Sequence, residues 1–146
     1  MGRSVGGFIT KVHIKAEGFG KPIHFVLTSG ERHDTVAFPA LLKGGKVKRL
    51  LQGRPKHRSR YLVGDKAYSS SEIRQQLRRS GTTPIIPTRS NQKRRGRFNR
   101  GLYRERNRVE RLINQLKQYR RIATRYEKYA VNYLAMLMIG AIRLWL

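Results

Sequence analysis

Eight carboxylates stand against 33 lysines and arginines in this chain of 146 residues, so metal-binding or acid–base chemistry has few residues to draw on. They are Glu17, Glu31, Asp34, Asp65, Glu72, Glu105, Glu110 and Glu127. Carboxylates are hard oxygen donors for divalent cations and can also pass protons. With no cysteine, a thiolate nucleophile, a thiolate zinc site and a disulfide framework are excluded. Asp65 is the best placed of the acids. The apolar run Tyr61-Leu62-Val63-Gly64 stops at it, and strand ends are where layered α/β proteins present site residues. The plainer reading is an Asp that shapes a turn or starts a helix.

A second constellation lies in a helical stretch, where Tyr103, Arg106, Glu110 and Lys117 follow one another at offsets of 3, 4 and 7. At about 100° per residue they fall near 0°, 300°, 340° and 320°, a stripe roughly 60° wide. The apolar stripe of Val109, Leu112, Ile113 and Leu116 covers roughly 180° to 280° on the same wheel. Glu110 is therefore expected at the rim of a buried face. Arg106 and Glu110 are also spaced as an ordinary i,i+4 ion pair on a solvated helix.

The elements that must position these residues can be read from periodicity. Gly7 to Ala16 alternates and runs into Glu17-Gly18-Phe19-Gly20, and Pro22 to Thr28 is apolar, which together predict an antiparallel hairpin. Asp34 is the natural N-cap of a short helix over Thr35 to Leu42, unless Pro39 delays its start. Lys43 to Arg60 reads as a basic, largely irregular loop. Tyr61 to Gly64 predicts a strand, and Ser70 to Arg79 a helix with Ser69 and Glu72 spaced as a capping box. Thr82 to Pro87, with two prolines, suits a short edge strand. A basic loop from Thr88 to Arg100, a helix from about Leu102 to Gln118 and a final helix from about Tyr129 to Trp145 complete the order. The expected class is α/β, or more narrowly an α+β mixed sheet, in one domain over residues 1–146.

A formal net charge of +25 calls for a polyanionic partner. Nucleic acid is the first expectation, because each neutralised phosphate releases condensed counterions. The tracts Arg54 to Arg60, Lys93 to Arg97 and Arg120 to Arg125 suit sequence-blind contact with a phosphate backbone; the plainer reading is a set of solvated loops. Asn132 and Arg143 argue against a membrane span in the apolar C-terminal helix. No secretory signal is visible at the N-terminus, so a cytoplasmic location is expected. Tyr126, Tyr129, Tyr133 and Trp145 read as core residues before base-stacking ones.

The spacing Tyr, two residues, Arg, three residues, Glu, six residues, Lys resembles the last catalytic segment of the DDE transposases of bacterial insertion sequences, and Tyr103, Arg106, Glu110 and Lys117 match it in full. The resemblance extends through Gly2 to Gly7, Leu27 to Asp34, Gly64 to Tyr68, Ile86-Pro87 and Arg120 to Tyr126. Val5 and Ser69 depart from the pattern. The resemblance implies a ribonuclease H-like fold, a five-stranded mixed sheet flanked by helices, here without its first strand. It implies DNA strand cleavage and transfer at insertion-sequence ends, with two Mg²⁺ (or Mn²⁺) ions in the complete site. Asp65 and Glu110 would be the second and third carboxylate ligands. Lys66, Tyr103, Arg106, Lys117, Arg120 and Arg121 would contact DNA.

The first carboxylate of the family belongs on a strand upstream of Gly2, so an upstream transposase segment is an expected partner, and this chain alone is expected to be inactive. DNA at the transposon ends and target, and a homo-oligomer in the DNA complex, are the other implied partners, at the bacterial nucleoid. Asp34 is not expected to replace the missing ligand. Two alternatives to a working enzyme are a non-catalytic basic nucleic-acid-binding protein and an inactive transposase remnant.

Overall fold

In the computed structural model, residues 2–4, 7–47, 53, 58–93 and 96–146 are described. Among them the chain forms β1 (Gly2–Ser4), β2 (Gly7–Ala16), β3 (Pro22–Ser29), α1 (Phe38–Lys43), β4 (Tyr61–Val63), α2 (Ser71–Arg79), β5 (Thr83–Ile85), α3 (Arg100–Arg104), α4 (Asn107–Lys117), α5 (Arg120–Ala123) and α6 (Ala130–Trp145). Two 3₁₀ turns, Asp34–Ala37 and Lys66–Tyr68, precede α1 and follow β4. The mixed α/β class matches the expectation from sequence.

The hairpin forms as its alternation predicts. β2 and β3 pair antiparallel from Thr10↔Ser29 to Ile14↔Phe25, with an irregularity at Lys15/Ala16. Gly20 closes the turn at φ +90, where a Cβ would also press on Arg108. The short strand β1, which the glycine-rich N-terminus did not suggest, pairs with β2 only at Gly7, Phe8 and Ile9. β4 and β5 form a separate parallel pair, Tyr61↔Thr83 to Val63↔Ile85. Among the described residues the five strands thus make two sheets, of three and two strands, rather than the single mixed sheet that the resemblance implied.

Alternation along β2 divides the molecule into two sides. Val12, Ile14 and Ala16 pack on a core of Phe25, Leu112, Leu116, Ile122, Tyr133, Leu137 and Ala141, drawn from β3, α4, α5 and α6. The residues between them face the other way. Lys11 pairs with Asp34, His13 bonds Tyr68, and Lys15 donates to the carbonyls of Leu42 and Gly44. A second core, Phe38, Ile73, Leu77 and Ile86, lies under α1, α2 and β5 and takes in Leu62 and Tyr68. Adjacent side chains on one strand thus serve opposite faces.

Two capping expectations are corrected, the Asp34 N-cap and the Ser69/Glu72 capping box. Asp34 is no N-cap: it is the first residue of the 3₁₀ turn, His33 precedes it, and its carboxylate pairs with Lys11 at 3.1 Å. Pro39 does delay the helix, lying in the first turn of α1. Ser69 does not cap α2. Ser70 does, accepting from Ile73 N at 3.3 Å, while Ser69 is buried in a polar contact described below. Glu72 bonds the Ser70 and Ser71 hydroxyls instead of completing a capping box.

The expected continuous helix from Leu102 to Gln118 divides at Glu105-Arg106, although both residues keep helical backbone angles. Backbone bonds there run i+3 to i, from Glu105 N to Leu102 O and from Arg106 N to Tyr103 O, which tightens the turn without redirecting the path. At the other end, Trp145 Nε1 donates to Pro22 O at 2.7 Å and Lys21 Nζ to Leu144 O at 2.6 Å, tying α6 to β3. Of the aromatics expected in the core, only Tyr133 is buried; Tyr126, Tyr129 and Trp145 are substantially exposed. The outward face of α6 carries exposed Val131, Ile139 and Ile142, and no helix of the described residues is long and apolar enough to cross a membrane.

His13 is buried between Tyr68 Oη at 2.7 Å and Thr28 Oγ1 at 2.9 Å. Burial lowers its pKa, against a smaller opposing pull from Asp34. The same sense of shift, from burial and then Lys15, applies to His24. A histidine whose folded pKa is depressed binds its proton more readily in the unfolded chain. Its contribution is therefore present above the unfolded value of about 6.5 and is lost as pH falls through the folded value. Unfolding free energy from urea titrations is expected to decline below pH of about 6.5, and less steeply in His13→Gln. Equal slopes in the two proteins would remove His13 as a cause.

Candidate active site

The two acids singled out by sequence meet at one guanidinium. Asp65 follows β4 and Gly64 and opens the Lys66–Tyr68 turn, where its Oδ1 accepts from Lys66 N at 2.6 Å. Its other oxygen, Oδ2, lies 3.9 Å from Arg106 Nη1. Arg106 Nη2 reaches Glu110 Oε1 at 2.7 Å, one helical turn further along α4. The guanidinium also sits over the Tyr103 ring, 5.6 Å from its centroid. The capping role that sequence offered as the plainer reading of Asp65 is therefore real, and it leaves Oδ2 free to face Arg106.

This arrangement joins the two halves of the molecule. Asp65 rides on the β4 strand end beside the Ile73/Leu77 core, whereas Glu110 and Arg106 belong to the helical segment packed on the hairpin through Leu112 and Leu116. Arg108 adds a tie between α4 and the hairpin turn by donating to Gly18 O, and it pairs with Glu105 at 2.6 Å. Tyr68, three residues after Asp65, is held by His13. Its pKa is pushed up to about 12 by burial, with smaller contributions from Asp34 and Asp65. Its hydroxyl therefore remains protonated across the physiological range.

The remaining candidates are placed less tightly. Lys66 lines an open cleft beside Asp65. Lys117 is exposed in the last turn of α4, about 10 Å along the helix axis from Glu110. Arg120 bonds Tyr126 Oη at 3.0 Å, and Arg121 faces Glu127 at 3.7 Å, so both pair locally with the segment that follows α5. Of the basic tracts, Arg54 to His57 and Arg94-Arg95 lie outside the described residues. Sequence reasoning missed the buried His13–Tyr68 pair and the Arg89–Gln92 segment that packs against the Asp65 turn.

Asp65 and Glu110 are both about half exposed, and Arg106 about one-third. Pairs of that exposure contribute about 0–1 kcal/mol each to stability, since solvent screens them. Replacing Arg106 by Ala removes both pairs and is accordingly expected to change unfolding free energy by no more than about 2 kcal/mol in urea titrations. A larger loss would assign Arg106 to the scaffold.

The donor chemistry fits part of a divalent-cation site: two carboxylates converge on one positive group, and hard oxygens are what such ions take. No cluster of three His, Cys, Asp or Glu side chains able to hold a metal occurs among the described residues. The fit is that of two ligands lacking a third.

Two carboxylates presented by a strand end and a helix, in a basic mixed α/β chain, define a candidate nucleic-acid-processing domain. Comparison with known proteins makes the class definite: the transposase DDE domain family matches residues 2–146, and the chain belongs to that family. The chain is 32% identical over 131 residues to a protein named as a transposase for insertion sequence element IS402 from Burkholderia cepacia. That match covers 90% of the chain and 60% of the relative. It is 28% identical over 141 residues to one named for insertion sequence element IS6501 from Brucella ovis, covering 94% of the chain and 98% of that relative. No solved structure matches the chain.

Proposed function

We propose that this chain contributes the second and third carboxylates, Asp65 and Glu110, to a metal-dependent active site that cuts and joins DNA at the ends of an insertion sequence. The observation that carries this reading is the convergence of both carboxylates on Arg106 from separate parts of the fold. Tyr103, Arg106, Glu110 and Lys117 keep the full family spacing, and the family match runs through them.

Asp65 and Glu110 would hold Mg²⁺ or Mn²⁺, two ions in the complete site. Bound there, the metal supplies activation of water or a DNA 3′-hydroxyl and stabilisation of the leaving oxygen in an in-line phosphodiester displacement. Arg106 neutralises the two acids in their absence and binds a phosphate oxygen near the cut once they are engaged. Tyr103 supports its guanidinium plane, and Lys66 and Lys117 bind flanking phosphates. Arg120 and Arg121 track the backbone further out.

The third ligand is assigned to a strand upstream of Gly2. β2 pairs with β1 at Gly7 to Ile9 and with β3 from Thr10 to Ala16, and β4 is paired with β5 alone, so each has a free edge among the described residues. A strand inserted between those edges would join the two sheets into one mixed ribonuclease H-like sheet and place its Asp near Asp65. We assign it to an upstream transposase segment. The domain over residues 1–146 then works as part of an oligomer on transposon-end and target DNA, at the bacterial nucleoid.

The test is cleavage of an insertion-sequence end by this chain together with the upstream segment, with and without Mg²⁺, and with Asp65 and Glu110 intact or replaced. A purely binding module, or a remnant, would be indifferent to both manipulations.

A further inference from the structure

The turn that carries Asp65 is not free-standing. The segment Ile86 to Gln92 folds against it and is fastened by a closed set of hydrogen bonds. Ser69, 3 % exposed, donates to Gln92 Oε1 at 2.6 Å and receives Arg74 Nη2 at 3.0 Å. Gln92 Nε2 returns a bond to Ser69 O at 3.1 Å, and Arg89 N also donates to Gln92 Oε1 at 3.2 Å. Arg74 further donates to the carbonyls of Ile86 and Pro87, at 2.9 and 3.1 Å. Finally, Arg89 Nη2 donates to Ala67 O at 3.0 Å.

These bonds fix where the Arg89 guanidinium stands relative to the catalytic turn. Between loop and turn lies an open cleft of about 500 Å³ lined by Lys66, Ala67, Arg89, Ser90 and Asn91. Its lining holds two cations, two neutral polar side chains and no carboxylate, and neither cation has an ion-pair partner among the described residues. No aromatic lines it, so it offers no platform for stacking a base. Hydroxyl, amide and guanidinium donors in an open, positively charged cleft match the oxygens of a phosphodiester.

We infer that the Lys66–Arg89–Ser90–Asn91 cleft is a phosphodiester subsite for the DNA strand that leads away from Asp65, with Arg89 as its principal contact. This rests on the proposed function above and extends it to a loop outside the catalytic signature. Because Gln92 and Arg74 lock the loop to the turn, a strand held in the cleft is held in register with the acid one residue before Lys66.

Ser90 is exposed and makes no hydrogen bond among the described residues, so Ser90→Asp adds a repelling charge inside the cleft while the scaffold stays intact. Gln75→Glu, on the exposed face of α2, is the matched charge change elsewhere. Fluorescence anisotropy of the full chain is measured against a labelled single strand of arbitrary sequence and against its duplex, across a KCl series. Ser90→Asp is expected to weaken binding about tenfold and Gln75→Glu less than about twofold. Arg89→Ala is expected to lower the salt slope by about 0.7 with the single strand and about 0.9 with the duplex. If Ser90→Asp behaves as Gln75→Glu does, or Arg89→Ala leaves both slopes unchanged, the subsite is wrong while DNA binding stands. If the unaltered chain binds neither DNA, the proposed function falls with it.

Discussion

Asp65→Asn and Glu110→Gln are each expected to lower cleavage of a transposon end by at least about a thousandfold when the chain acts with its upstream segment. That is a loss of about 4 kcal/mol of transition-state stabilisation. The substitutions keep shape and hydrogen-bonding capacity and remove the negative charge that a dication needs. Stability should hardly move, because both acids are about half exposed and their pairs with Arg106 are solvent-screened. DNA affinity should hold or rise, since each change removes a negative charge facing a polyanion. The expected signature is thus lost chemistry with retained folding and retained binding. Cleavage within tenfold of the unaltered protein for both variants would show that neither carboxylate serves the reaction.

The same pair illustrates what the sequence could and could not reveal. Asp65 was legible because an apolar run ends at it, and Glu110 because four residues share a narrow helical stripe. Both signals are local. That Arg106 would bridge the two was not legible, since the contact spans a strand end and a helix 41 residues later, the difference between positions 106 and 65. The 3₁₀ turn at Glu105-Arg106 was equally hidden, for nothing in the residue types marks it. It nevertheless preserves the stripe, because both residues keep helical angles.

Long-range contacts also explain the capping errors. Asp34 and Ser69 are good caps by residue type, but Lys11 on β2 claims the first and Gln92 with Arg74 the second. Local preference of about 1 kcal/mol for a cap is easily outweighed when a neighbouring element supplies a partner. In sequence the Arg89 loop is an undistinguished basic stretch for the same reason: Arg, Ser, Asn and Gln in a loop look solvated until the surface they fold against is known. Four of the five strands are legible from alternation and apolar runs, whereas β1 in the glycine-rich N-terminus is not. Their division between two sheets follows from free edges on β2 and β4, which only the pairing reveals.

That division gives the scaffold two separately packed cores, and Leu77→Ala tests one of them. Leu77 is 0 % exposed on α2 and meets Phe38, Ile73 and Ile86. Truncating a fully buried leucine costs about 2–5 kcal/mol, from lost transfer energy and the cavity left behind. A domain of this size has only about 5–15 kcal/mol in total, so the variant should show a markedly lower urea midpoint. The local consequence is sharper. β4 and the Asp65 turn lean on this core through Leu62 and Tyr68, while Glu110 is carried by the core around Leu112. Hydrogen exchange is therefore expected to accelerate first at Tyr61 to Ser69 and across α2, with α4 and α6 keeping their protection. Uniform loss of protection across both regions would mean that the two cores unfold as one unit. Arg106 would then join two acids already held by a single cooperative structure.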